Sequence, residues 1–153
     1  MLFNKKISLV IPAHNEKGGL AHLLPDVPTY IDEVVVVDNN STDGTGEVAR
    51  GFGCRVVEEK QLGYGIALKS GFQAAEGEII VTMDADGTCL FEHYPRLIKH
   101  MLDNEVDFIT ARRIPDRFRT FSSLLRFLGD MFLDITCWTF FRMFLLISTR
   151  WWW

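Results

Sequence analysis

Residues 79–87, Ile79-Ile80-Val81-Thr82-Met83-Asp84-Ala85-Asp86-Gly87, join an uninterrupted apolar run to two carboxylates with one small residue between them. An apolar run of that length is typical of a strand buried on both faces. Carboxylates where such a strand surfaces are costly to desolvate, so a pair of them is suited to holding a cation. A near-copy lies upstream, where Glu33-Val34-Val35-Val36-Val37 ends in Asp38, followed by Asn39-Asn40-Ser41-Thr42-Asp43-Gly44. Two strands thus deliver acids toward what can be one sheet edge. In an open α/β sheet, ligands bind in the crevice beyond the carboxyl ends of the strands.

Working outward, apolar runs alternate with helix-length amphipathic segments. Strands are expected at 7–11, 33–37, 55–57, 79–83 and 106–110, and helices at 19–24, 44–52, 66–76 and 92–102. In the third helix Ile66, Leu68, Phe72 and Ala75 form the expected buried stripe; in the fourth, Leu97, Ile98, Met101 and Leu102 do. Strict βαβα alternation implies a mainly parallel sheet with right-handed crossovers. At 153 residues the chain is one domain's worth, enough to bury about two-thirds of its unfolded surface.

The net charge of −4 argues against general nucleic-acid binding, but the charge is uneven. Residues 1–95 hold 7 Lys/Arg against 14 Asp/Glu, whereas 96–153 hold 9 against 6. Arg112, Arg113, Arg117 and Arg119 make a phosphate-sized basic patch, or a solvated loop. Cys54, Cys89 and Cys137 are odd in number, far apart and without C-x-x-C spacing, which fits a reduced, cytoplasmic setting. The apolar stretch 7–12 is too short for a signal peptide.

From Arg119 onward the character changes. Apolar residues crowd round a polar stripe of Arg126, Asp130 and Asp134, spaced four apart. Asp134 and Arg142 interrupt the run, so no 18-residue apolar span exists. The expectation is an amphipathic helical segment over 119–153, either lying on a bilayer surface or packed as a core helix, after a domain over 1–118. Trp151-Trp152-Trp153 reads as an interface anchor or as the abnormal end of a truncated reading frame.

Several motifs carry chemistry. Pro12-Ala13-His14-Asn15-Glu16 ends the first strand with amide and carboxylate groups suited to a nucleobase or ribose, and Asp38 ends the second. Ser41, Thr42 and Asp43 read also as a turn that caps the following helix. Gly63-Tyr64-Gly65 precedes a helix, where glycine lets backbone approach an anionic ligand. It is a defective dinucleotide fingerprint, because Leu68 stands where the third glycine belongs; a nicotinamide-dependent oxidoreductase rests on that motif alone. There is no P-loop, and His14, His22, His93 and His100 lack metal-binding spacing.

Taken in order, the motifs around Val10–Glu16, Val35–Thr45, Gly63–Phe72 and Asp84–Thr88 resemble those of family 2 glycosyltransferases, nearest the polyprenyl- and dolichyl-phosphate sugar synthases. The resemblance implies a three-layer, Rossmann-like GT-A fold. It implies transfer of a hexose, with inversion, from a UDP- or GDP-linked sugar to a polyprenyl phosphate at the cytosolic face of a membrane. Pro12, Ala13, Glu16 and Asp38 would hold the nucleoside, and Asn15, Ser41, Gly65 and Lys69 join them as donor-side candidates. Asp84 and Asp86 would hold Mg2+ or Mn2+ with the ribose-diphosphate, Asp86 in a catalytic role. Arg112 or Arg113 would contact phosphate. The chain departs from the family beyond about residue 120, with no second acidic motif to serve as a base. A nucleotide-sugar-binding module without turnover, or a transferase acting on a saccharide, are the alternatives.

Overall fold

The computed structural model describes residues 2–86, 91–112 and 143–148. Backbone contacts divide the chain into two units, residues 1–109 with 145–153, and residues 110–144. Of the second unit, only the ends of two strands fall among the described residues.

The elements run β1 (Ile7–Ala13), α1 (Lys17–Leu23), β2 (Glu33–Asp38), α2 (Thr45–Gly51), β3 (Arg55–Glu58), α3 (Tyr64–Ala74), β4 (Ile79–Thr82), α4 (Tyr94–Asp103), β5 (Phe108–Arg112) and β6 (Met143–Ser148). They form a six-stranded sheet in the order β3-β2-β1-β4-β6-β5. β1 pairs in parallel with β2 and with β4, and β2 with β3; β6 alone is shown antiparallel, against β4. The expected mainly parallel sheet is what the chain forms.

Its central strands β1, β2 and β4 are buried because helices cover both faces of the sheet. The chain steps from β1 to β2 to β3 in one direction, with α1 and α2 packed on each other, and α3 then carries it back across β2 and β1 to β4. Right-handed crossovers put α3 on the opposite face from α1 and α2. Leu9, Val10, Ile11, Val35, Val36 and Val37 are wholly inaccessible, and each such side chain contributes about 1.5–3 kcal/mol by leaving water.

On α3 the innermost residues are Ala67 and Gly71, packed with Val10, Val35, Val37 and Ile80, while Leu68, Phe72 and Ala75 flank them only partly buried. This corrects the expected stripe of Ile66, Leu68, Phe72 and Ala75. The helix sits too near the sheet for a large side chain at its centre: a Cβ on Gly71 would stand 2.4 Å from Val10 Cγ1 and 2.9 Å from Val37 Cγ2. In α4 the buried residues are Tyr94, Ile98 and Met101. The Tyr94 hydroxyl donates to the carbonyl of Thr82 at 2.9 Å. At the opposite end of the strands, the buried Ser8 hydroxyl donates to Glu33 and accepts from the Gly77 amide at 2.8 Å.

Residues 143–148 form a strand where a helical segment was expected. Met143-Phe144-Leu145-Leu146-Ile147-Ser148 is a continuous apolar run, which periodicity alone cannot assign. The free side of β4 provides ladder partners, Val81 to Leu146 and Ile80 to Ile147. The rest of the 119–153 segment lies outside the described residues. Among the described residues no helix is long and apolar enough to cross a membrane.

Candidate active site

The ladder registers bring the strand ends to one edge. Ala13 pairs with Asp38 and Asp38 with Glu58, while the β1–β4 ladder ends at Val10 and Thr82. The Met83 amide still donates to the Val10 carbonyl at 3.2 Å. Val10 and Pro12 present their backbones to the same side of β1, and Pro12 has no N–H to continue the ladder. The chain leaves the sheet there, so Asp84-Ala85-Asp86 turns away from β1 instead of running beside it. Strand order reverses at this same place, between β1 and β4, which is where an open sheet parts into a crevice.

Beside the crevice, the loop after β1 is stitched to the loop after β2. The Asn15 amide donates to Ser41 Oγ at 3.0 Å, the Glu16 amide to Thr45 Oγ1 at 2.9 Å, and the Lys17 amide to Asp43 Oδ2 at 3.1 Å. In return the Thr42 amide donates to Asn15 Oδ1 at 2.9 Å. Asn15 and Asn40 turn the chain with left-handed backbone, φ 54° and 59°, a conformation that asparagine tolerates better than most residues. The Thr45 hydroxyl, donating to Asp43, holds that carboxyl below its ordinary pKa, with the amides of Lys17 and Thr45 acting the same way. Asp38 is half-buried and accepts from the Ser41 amide through Oδ1 at 3.0 Å. Its Oδ2 lies against Gly46, where a Cβ would stand 2.6 Å away.

Across the crevice, Asp84 and Asp86 are half-buried on either side of a buried Ala85. The Ala85 carbonyl abuts Gly19 of α1: a Cβ there would stand 2.4 Å from the oxygen, and 3.1 Å from Glu16 Oε2. The Asp84–Asp86 turn therefore packs against the first turn of α1, with the Glu16 carboxylate beside the contact. From the other side the Tyr64 hydroxyl, at the start of α3, donates to Asp84 Oδ1 at 3.3 Å. Among the described residues no three His, Cys, Asp or Glu side chains gather into a metal-holding group.

A family model described as glycosyl transferase family 2 matches residues 8–146. The chain belongs to glycosyltransferase family 2. An uncharacterized glycosyltransferase of Mycobacterium tuberculosis is 39% identical over 109 residues, 71% of this chain and 49% of that protein. A dolichyl-phosphate hexose transferase of Haloferax volcanii is 32% identical over 123 residues, covering 78% of this chain and 53% of that one. Among solved structures, the mannosyltransferase PcManGT from Pyrobaculum calidifontis, in complex with GDP-Man and Mn2+, matches with TM-score 0.64 and 28% identity, over 76% of this chain and 38% of that one. The GT-A architecture expected from the sequence is borne out. The chain spans about half the length of the curated relatives it matches.

Within this family 2 domain the candidates differ in where they lie. Pro12, Ala13, Glu16, Asp38, Asp84 and Asp86 lie along the edge or at its turns, with Pro12 and Ala13 buried. Asn15 and Ser41 are there too, bonded to the neighbouring loop. Gly65 borders open space, with nothing within 4 Å of an added Cβ. Lys69 is exposed and two residues from both buried Ala67 and Gly71, so it occupies the solvent side of α3, apart from the others. Arg112 ends β5, while its side chain and all of Arg113 lie outside the described residues.

Sequence reading missed Asn39. It is 5% exposed and donates through Nδ2 to the carbonyls of Glu59 at 3.1 Å and Gln61 at 2.7 Å. Its Oδ1 accepts from the Gly63 amide at 2.8 Å, and its backbone carbonyl accepts from His14 Nδ1 at 2.8 Å. One asparagine thus ties the loops after β1 and β3 to the end of β2. Its neighbour Asn40 is exposed and in the same turn, so residue type could not separate them.

Proposed function

We propose that the chain is the donor-binding part of a metal-dependent, inverting hexosyltransferase that moves a sugar from a nucleoside diphosphate to a polyprenyl phosphate. The observation that supports this reading is the contact of the Asp84-Ala85-Asp86 turn with α1 beside Glu16, on the same sheet edge at which Asp38 ends β2 opposite Ala13. A sugar nucleotide presents a neutral base and ribose at one end and a diphosphate at the other. Glu16 and Asp38 suit the first, as acceptors for base N–H or ribose hydroxyl groups.

Asp84 and Asp86 suit the second through a hard cation. Asp84 and Asp86 would hold such an ion together with diphosphate oxygens and water, the usual complement for a hard cation such as Mg2+. Bound Mg2+ or Mn2+ would offset the charge that develops on the leaving diphosphate. The complex of the Pyrobaculum mannosyltransferase with GDP-Man and Mn2+ supports both donor and ion.

The acceptor follows from chemistry and from the Haloferax relative's name. A phosphate monoester is largely anionic at neutral pH, its second pKa being ~6 in phosphorylated side chains. It attacks without a strong general base, whereas a sugar hydroxyl needs one. Arg112, which ends β5, and Arg113, next to it in sequence, are proposed to contact the acceptor phosphate or the diphosphate. A polyprenyl acceptor brings the reaction to a membrane surface, and the cytosolic face is proposed with it.

Full-length chain incubated with radiolabelled UDP- and GDP-hexoses, polyprenyl phosphate and Mn2+ should yield labelled lipid. A folded sample that labels no lipid with any donor would overturn the transfer step. Because the described candidates are mostly donor-side, nucleotide-sugar binding without transfer is the second reading; calorimetry with UDP and GDP in the same samples separates the two.

A further inference from the structure

We propose that Tyr64 is a positioning residue for Asp84, an inference that rests on reading Asp84 as a donor-side, cation-holding carboxylate. Tyr64 is 56% exposed, so the core does not require its ring, yet its hydroxyl donates to Asp84 Oδ1 at 3.3 Å across the crevice. The backbone that carries it is fixed. Gly63, immediately before it, donates to buried Asn39, which also holds the carbonyls of Glu59 and Gln61. Asp84 lies beyond the last β1–β4 ladder pair, its backbone held between buried Met83 and buried Ala85 while its half-buried side chain faces Tyr64. The phenol therefore spans from a braced loop to one oxygen of that carboxylate and contributes to its rotation about the Cβ–Cγ bond. Groups that orient a metal-holding carboxylate contribute to affinity without touching the metal.

The test is calorimetric titration of Mn2+ into the full chain saturated with UDP or GDP, beside titration of the nucleotide without metal. Tyr64→Phe removes the hydroxyl and keeps the ring. Mn2+ affinity should fall by about threefold to tenfold, the range of one net hydrogen bond, while metal-free nucleotide affinity and thermal midpoint stay at wild-type values. A general structural defect would lower all three together. Wild-type Mn2+ affinity in Tyr64→Phe would overturn the proposal, and so would a loss confined to nucleotide affinity in Tyr64→Ala, which would make the ring a stacking surface. Wild-type chain that binds neither nucleotide nor Mn2+ would instead remove the reading of the site, and this inference with it.

Discussion

Gly19 in the first turns of α1 lies directly under the carbonyl of Ala85, so close that an added Cβ would stand 2.4 Å from its oxygen. The obstacle is backbone and cannot rotate away. Gly19→Ala should therefore push the Asp84-Ala85-Asp86 turn out of place. The expected result is a loss of about 1–3 kcal/mol of stability from overpacking, with Mn2+-dependent nucleotide binding weakened about tenfold or more. Gly18→Ala is the control, since a Cβ there meets nothing within 4 Å; it should leave binding unchanged and stabilise α1 by up to about 1 kcal/mol. Thermal melts and calorimetry read both.

Asp86→Ala removes one of two carboxylates at the turn. The metal-dependent part of nucleotide binding should fall about tenfold or more, because orienting groups alone contribute that much around a bound ion. Asp86→Asn, which keeps the shape and removes the charge, should behave alike. Unchanged Mn2+-dependent binding in both would count against the cation role.

Asn39→Ala strips three hydrogen bonds at once and leaves the Gly63 amide without its acceptor. The cost should be about 1–3 kcal/mol, the penalty for a buried polar group left unpaired. Urea unfolding measures it. Asn40→Ala, at an exposed neighbour, should cost less.

The carboxyl of Asp43 sits below its ordinary pKa, first because Thr45 donates to it and then because the amides of Lys17 and Thr45 do. A depressed folded value means that the ionised acid stabilises the fold. That contribution is complete above the unfolded value of about 4 and disappears as pH drops through the lower folded value. Wild type and Asp43→Asn should differ in urea midpoint by a constant amount from about pH 5 upward, and the two curves should converge below about pH 4. A gap that persists at low pH would show that the loops are held by something other than this charge.

Much of this was legible along the chain. The runs at 7–11, 33–37 and 79–83 became central strands, and the acids that follow two of them do emerge at one edge. Strand ends moved by a residue or two, as when the run at 106–110 formed β5 over Phe108–Arg112. The inner face of α3 is not legible from hydrophobicity, which marks large residues, whereas a helix lying close to a sheet puts its smallest ones, Ala67 and Gly71, at the contact. Nothing local marks the β6 run as a strand, because its partner, the free side of β4, is more than sixty residues away along the chain.

Sequence by itself determined the alternation of strand and helix, the parallel sheet, and the placing of Glu16, Asp38, Asp84 and Asp86 at strand ends. These follow from local period and residue type, which neighbours along the chain decide. Tertiary structure alone decided that Gly19 meets Ala85, that Asn39 braces the loop before Tyr64, and that Tyr64 reaches Asp84. Those contacts join segments 20 or more residues apart, and they exist because crossovers on opposite faces fold the loops back over the reversal in strand order between β1 and β4.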